Sequence, residues 1–163
     1  MMQQSLHELH ARQGIRDTLS DYAAGIDLRD WPRYRACFTE EVDIDFETFS
    51  GSPGQRIAAD DWVAGVKMGL TGFQSTQHLI SNHRIAVEGD EASCVANVQA
   101  QHYLPNDDVA DLYTLGGYYE DRLVRDAESW KIRACRLTVT WTRGDRSLFD
   151  RAVKRLADTD PAS

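Results

Sequence analysis

The chain has 163 residues, of which 42% are apolar and 27% charged, ordinary values for one globular domain. Its formal net charge of −8 argues against nucleic acid or an anionic membrane as the main partner, because both would require a basic face. No apolar run approaches the length of a membrane span and the first residues lack the apolar centre of a signal peptide, so we expect a cytoplasmic protein.

Three helices are predicted in the first half of the chain. Apolar side chains recur at helical spacing over residues 15–26, and this pattern ends near Asp27–Asp30. Pro32 suits the first turn of a second, short helix. Asp60 suits the N-cap of a third helix, which ends before Gly72.

The strands are predicted mainly in the second half. Residues 41–47 alternate between apolar and acidic side chains, which indicates a half-buried strand, and residues 50–56 have the composition of a loop. Four long strands follow, over residues 75–88, 91–104, 112–125 and 130–142. An amphipathic helix over about residues 146–157 ends the pattern.

This order of elements predicts an α+β fold, because helices and strands are segregated along the chain. We expect one domain over residues 1–163, with its core over about residues 5–143. A strongly curved, mostly antiparallel sheet would hold the N-terminal helices on its concave face and leave an enclosed pocket at its open end.

Asp27 and His78 are the first candidates for chemistry. Asp27 ends the first helix, where a carboxylate opposes the helix dipole and calls for a compensating partner. His78 lies on a partly apolar strand face, and pairing with a buried carboxylate would fix its tautomer and raise its basicity. Alternatively, Asp27 would be a solvated acid in a turn, and His78 would be a core histidine bonded to the backbone.

His102 is the third catalytic candidate, since it ends an otherwise apolar row of its strand. A two-residue turn at Gly89–Asp90 would place His78 opposite Gln101, with His102 on the other face. A three-residue turn through Glu91 would place the two histidines opposite each other, and we favour this register. A β-bulge could also correct the phase.

The candidates for binding a substrate are mostly aromatic: Tyr22, Phe46, Trp62, Tyr119 and Arg136. Arg136 alternates in phase with apolar residues of its strand, and if it were buried it would hold an anionic group. The alternative is a surface arginine. No metal or nucleotide motif occurs, and the three cysteines lack metal-site spacing, which indicates buried free thiols. We expect no metal and no cofactor.

Taken together, an ordered series of short motifs resembles the SnoaL-like branch of the nuclear-transport-factor-2-like superfamily. The series runs over about residues 8–143 and consists of Tyr22-x4-Asp27, Trp31, Phe38, Gln77-His78, Val87-x-Gly89-Asp90-x-Ala92, Gly117-Tyr118-Tyr119 and Trp130-x-Ile132. The resemblance implies a cone-shaped barrel with an enclosed pocket.

Within that group the chain looks like scytalone dehydratase and hexachlorocyclohexane dehydrochlorinase, which both rely on an Asp–His pair. Asp27 and His78 match that pair, and His102 falls near the position of the second histidine of the dehydratase. Where the dehydratase has two tyrosines, this chain has Ile26 and Phe46, so the substrate contacts differ.

The dehydrochlorinase has a lysine at the position of Tyr22, and its arginine has a possible counterpart in Arg136. The acid–base core therefore carries over from these enzymes, whereas the substrate does not.

The resemblance favours a cofactor-independent lyase or isomerase, such as a dehydratase, acting on a small, partly apolar cyclic or aromatic substrate. Two alternatives stay open: a non-catalytic small-molecule-binding protein of the same fold, and a structural component like the small β subunit of ring-hydroxylating dioxygenases. The family's habit of associating through the sheet implies a homodimer or homotrimer.

Overall fold

A computed structural model describes the chain from residue 2 to residue 159, with side chains from residue 6 onward. Its helices are α1 (Met2–Asp27), α2 (Trp31–Ala36), α3 (Glu47–Ser50), α4 (Ala59–Leu70) and α5 (Leu148–Thr159). Its strands are β1 (Phe38–Asp45), β2 (Gln55–Ala58), β3 (Ser75–Glu88), β4 (Glu91–Tyr103), β5 (Leu112–Asp126) and β6 (Ser129–Arg143).

The six strands form one curved, unclosed sheet in the order β2-β1-β6-β5-β4-β3. Neighbouring strands are antiparallel except for β1 and β6, which run parallel. Helix α1 lies against the concave face and buries its apolar stripe, including Ile15, Leu19 and Ile26, between the helix and the sheet. The predicted α+β cone is confirmed, with its core between α1 and the sheet.

The segment between β1 and α4 differs from the prediction. The expected loop over residues 50–56 contains the end of α3 and the start of β2, an edge strand too short to show alternation in the sequence. Asp60 is not the N-cap, because helix α4 already begins at Ala59. It lies in the first turn instead, where the helix dipole stabilises a carboxylate and where Asp60 pairs with Arg35.

The register of β3 and β4 corrects the prediction for the hairpin. Glu88 faces Glu91 across a two-residue turn, so the three-residue turn is wrong. A bulge between Ser81 and Arg84 then shifts the register by one residue and places His78 opposite Ala100. As a result, His78 and the inward-facing His102 share the concave face, as expected, but the bulge and not the turn brings them there.

A second bulge turns Arg136 away from the pocket. Arg122 pairs with Ala134 but Leu123 pairs with Ile132, which leaves Arg133 as the extra residue and inverts the alternation beyond it. The Arg136 side chain is therefore 59% exposed on the outer face, with its Nε 2.8 Å from Asp45 Oδ2. Its expected position in the pocket is wrong.

All three cysteines, Cys37, Cys94 and Cys135, are free thiols buried in the core, as expected.

Within residues 2–159, no helix combines the length and the apolar composition that crossing a membrane would need.

Candidate active site

Asp27 and His78 are joined by two hydrogen bonds. His78 Nδ1 lies 2.8 Å from Asp27 Oδ1, and the backbone N–H of His78 donates to Asp27 Oδ2 over 2.7 Å. The contact joins the last residue of α1 to the opening of β3, and the His78 side chain is only 6% exposed. The histidine thus compensates for the unfavourable position of this carboxylate at the end of a helix.

A hydroxyl and a guanidinium support the carboxylate from behind. Thr76 Oγ1 donates to Asp27 Oδ1 over 2.9 Å, and Arg29 Nη1 donates to Thr76 Oγ1 over 2.8 Å. Burial by itself would raise the pKa of Asp27, but hydrogen bonds from His78 and Thr76 and the charge of His78 outweigh burial and lower this pKa. Asp27 is therefore ionised near neutral pH.

The ionised carboxylate fixes the tautomer of His78. A carboxylate can only accept hydrogen bonds, so Nδ1 of the neutral imidazole carries the proton and donates it to Asp27 Oδ1. Nε2 is then left with a free lone pair on a side chain that lines the cavity. This arrangement suits a general base that abstracts a proton from a bound molecule.

His102 lies beside His78 as a neutral side chain. The centroids of the two rings are 5.8 Å apart, and the centroid of the Phe149 ring lies 4.9 Å from that of His102. Burial first, and then the proximity of His78, lower the pKa of His102 to about 3. Near neutral pH it has no imidazolium proton to give, and its available chemistry is that of a neutral hydrogen-bond donor and acceptor.

A cavity of about 400 Å³ lies between the sheet and the helices. Four of the five binding candidates line it, namely Tyr22, Phe46, Trp62 and Tyr119, whereas Arg136 does not. The rest of the lining is mostly apolar or aromatic: Ile26, Tyr34, Ile44, Phe49, Val66, Leu70, Ala100, Leu115, Leu137 and Phe149. Among the described residues that line it, none is Asp, Glu, Lys or Arg.

The mouth of the cavity lies between two segments. The exposed lining residues are Ser50, Ser52, Pro53 and Gln55, from the end of α3 to the start of β2, and Gly65 of α4. By contrast, the side chains of His78 and His102, which also line the cavity, are largely buried.

Several residues of the site were not predicted as such. Tyr34 is fully buried in α2 and lines the cavity, and Phe149 reaches it from α5. Thr76 shares the strand face of His78 at a spacing of two, a signal that could have identified it. Arg29 gave no signal, because its contact with Thr76 depends on a left-handed backbone, with φ of 60°, two residues after the end of α1.

The chain is similar to known proteins over most of its length. The SnoaL-like domain family matches residues 7–136. Terrestric acid biosynthesis cluster protein E of Penicillium crustosum is 26% identical over 147 residues, which cover 86% of this chain and 90% of that protein.

Two solved structures show the same fold. The Kfla4162 protein from Kribbella flavida has a TM-score of 0.79 at 28% identity, with 86% of this chain and 96% of that chain covered. A protein provisionally named scytalone dehydratase, from Novosphingobium aromaticivorans DSM 12444, has a TM-score of 0.73 at 25% identity, with 88% and 91% covered.

Proposed function

The chain belongs to the SnoaL-like domain family, and from this premise we propose that it is a cofactor-independent lyase or isomerase whose general base is His78. The observation that carries the proposal is the 2.8 Å contact between His78 Nδ1 and Asp27 Oδ1 beside an apolar cavity. A base needs a free lone pair and an oriented ring, and this contact supplies both.

In the proposed reaction, His78 Nε2 removes a proton from a carbon next to a carbonyl or a leaving group. Asp27 holds the ring in place and stabilises the imidazolium that forms. The proton then passes to the leaving group in an elimination, or to a second carbon in an isomerisation. Proton transfer by a positioned side chain contributes about 10²–10⁴-fold to a rate.

The lining supports an uncharged, partly aromatic or alicyclic substrate. Because no acidic or basic side chain among the described residues lines the cavity, a charged molecule would be buried there without a counter-ion. The relatives' names agree with a small organic substrate, since one denotes a biosynthesis cluster protein and another a dehydratase.

A non-catalytic binding protein is the second candidate function. The observation in its favour is the apolar side chain of Ile26 and the aromatic ring of Phe46, both of which line the cavity where the resembled dehydratase has tyrosines. A binder of this kind would retain the cavity and would have no use for the basicity of His78.

Deuterium exchange tests the base directly, without knowledge of the natural substrate. Enolisable cyclic ketones (1-tetralone, 2-tetralone and cyclohexenone) are incubated with the protein in D₂O, and loss of the α-proton signal is followed by NMR. We expect exchange above background with the wild type and a loss of about 10²-fold or more in His78→Ala and Asp27→Asn.

His10→Ala is the matched control, because His10 is exposed on α1 and does not line the cavity. If His78→Ala and Asp27→Asn are folded and exchange deuterium as fast as the wild type, the assignment of the base is wrong. If the wild type binds the ketones but exchanges none of them, the binding protein is the better description.

The proposal extends to self-association through the outer face of the sheet. Leu79 and Trp141 are large apolar side chains exposed on that face, at 53% and 48%. Light scattering coupled to size-exclusion chromatography would give the mass of a dimer or trimer, and a Trp141→Glu variant would reduce it to that of the monomer.

A further inference from the structure

The cavity holds a cluster of phenol side chains that the acid–base pair does not use. Tyr22 of α1, Tyr34 of α2 and Tyr119 of β5 come together although they belong to three different elements. The ring of Tyr22 lies 5.0 Å from that of Tyr34 and 5.5 Å from that of Tyr119, between centroids. All three side chains line the cavity, and each is at most 4% exposed.

We propose that Tyr22, Tyr34 and Tyr119 form a hydrogen-bond-donor subsite that binds an uncharged oxygen acceptor of the ligand, a carbonyl oxygen above all. This subsite rests on the proposed function in one respect, namely that the ligand binds in this cavity. It deepens that function by specifying a polar group that the ligand carries and the side chains that recognise it.

The number of protons in the cluster carries the argument. Trp62 Nε1 donates to the Tyr34 hydroxyl over 3.0 Å, and the hydroxyl of Tyr22 interacts with those of Tyr34 and Tyr119. Four groups joined in a row therefore share at most three hydrogen bonds. Each group carries one N–H or O–H proton and each bond uses one, so at least one O–H remains for an acceptor outside the cluster.

The cavity is where an acceptor from outside the cluster can reach the remaining O–H, since all three phenols line it. An indole N–H can only donate, so the surplus proton cannot be absorbed at the Trp62 end of the row. The aromatic neighbours Phe38 and Phe46 offer no oxygen or nitrogen side-chain acceptor. A buried donor left without an acceptor is costly, which favours a ligand or water oxygen beside these phenols.

The acceptor is expected to be uncharged. Burial raises the pKa of Tyr22, Tyr34 and Tyr119 well above the ordinary value, so the phenols stay protonated and donate. No lysine or arginine among the described residues lines the cavity to balance a carboxylate or phosphate. A ketone fits both conditions, and a donor on its oxygen would also acidify the neighbouring C–H that His78 is proposed to attack.

The test compares two probes with one skeleton: 1-tetralone, which carries a carbonyl, and tetralin, which lacks it. Affinities are measured by calorimetry for the wild type and for a triple variant, Tyr22→Phe, Tyr34→Phe and Tyr119→Phe. We expect the wild type to favour the ketone about tenfold, the effect of one buried hydrogen bond, and the triple variant to show almost no preference. An unchanged preference in the folded triple variant would overturn the subsite.

A measurement on the wild type alone keeps the proposal falsifiable if the triple variant does not fold. The infrared carbonyl stretch of bound, ¹³C-labelled 1-tetralone is expected at lower frequency than in hexane, because a hydrogen bond weakens the C=O bond. A stretch equal to that in hexane, or binding of tetralin at least as tight as that of the ketone, contradicts the proposal.

His78→Ala separates this proposal from the proposed function. The variant is expected to lose deuterium exchange while it keeps the preference for the ketone, because Tyr22, Tyr34 and Tyr119 remain. Absence of exchange in a wild type that prefers the ketone would count against the enzyme alone. Exchange without any preference for the ketone would count against the subsite alone.

Discussion

Arg29 donates a hydrogen bond to Thr76 Oγ1 over 2.8 Å, and this contact directs the Thr76 proton to Asp27. A guanidinium has no acceptor, so the hydroxyl accepts from Arg29 and is free to donate only onward. The same Nη1 of Arg29 also bonds the carbonyl of Ile26 at the end of α1. Arg29 and Thr76 therefore act as positioning residues, since they hold the carboxylate that orients His78.

The hydroxyl of Thr76 is expected to contribute measurably to stability and to the acidity of Asp27. Thr76→Val keeps the shape and removes this donor, so the free energy of unfolding at pH 7 should fall by about 1.5–3 kcal/mol, as for hydrogen bonds to charged groups. The pKa of Asp27 should rise, because the bond from Thr76 helps to lower it. Urea unfolding and a ¹³C NMR titration of the carboxyl group measure the two effects.

Thr76→Ser is the matched control, because it retains the hydroxyl and should keep the pKa of Asp27 below the ordinary value. If the valine variant unfolds at the urea concentration of the wild type, with the same Asp27 titration, the hydroxyl has no positioning role.

Asp121 is a fully buried acid, and its environment is the opposite of that of the half-buried Asp27. It is 3% exposed, and its Oδ1 has no hydrogen-bond partner among the described residues. Burial raises the pKa of Asp121 to about 7, and the thiol of Cys135 offsets only part of this effect. The folded protein thus holds this carboxyl protonated over a pH range in which the unfolded chain, with a pKa of about 3.9, is ionised.

The consequence is a loss of stability as the pH rises. Between pH 4 and pH 7 the folded state binds more protons at Asp121 than the unfolded state does, so the free energy of unfolding decreases. Asp121→Asn removes this titration. Relative to the wild type, the free energy of unfolding of Asp121→Asn should therefore rise by up to about 4 kcal/mol between pH 4 and pH 8.

Urea unfolding at several pH values measures this difference. Glu120→Gln, at the exposed neighbouring position on the outer face, is the control and should change stability by no more than about 0.5 kcal/mol at any of them. A difference between Asp121→Asn and the wild type that does not vary with pH would mean that this carboxyl is ionised in the folded protein.

Local spacing predicts much of this fold, because helices and hairpin strands repeat over a few residues. The end of α1 at Asp27 and the long strands β3 to β6 follow from such spacing. The phase of each strand does not, since one extra residue at a bulge inverts every side chain beyond it. Spacing alone therefore predicts the wrong face for Arg136, and His78 reaches the face of His102 through a bulge and not through the turn.

Helix α4 contains a glycine whose replacement should stabilise the protein. A Cβ at Gly65 would meet no atom within 4 Å, so alanine fits there and restricts the unfolded chain. We expect Gly65→Ala to raise the free energy of unfolding by about 0.5–1 kcal/mol, measured by thermal and urea unfolding. Gly117→Ala is the contrasting variant and should destabilise, because its Cβ would lie 1.9 Å from the carbonyl oxygen of Thr138.

Asn82 holds the bulge that sets the phase of His78. Its φ of 56° is a left-handed conformation that asparagine and glycine adopt readily and β-branched residues do not. Asn82→Val should lower the free energy of unfolding by about 1–2 kcal/mol, whereas Asn82→Gly should stay close to the wild type. Because Asn82 is exposed, lost burial contributes little to either change.

The same pair of variants tests whether the bulge serves the site. Relief of the strain in Asn82→Val by a shift of register would carry His78 away from Asp27, and deuterium exchange would then fall further than the folded fraction does. Asn82→Gly should exchange at the wild-type rate, since it keeps the backbone conformation. Equal stability and equal exchange in the valine variant would mean that the register between β3 and β4 does not depend on this residue.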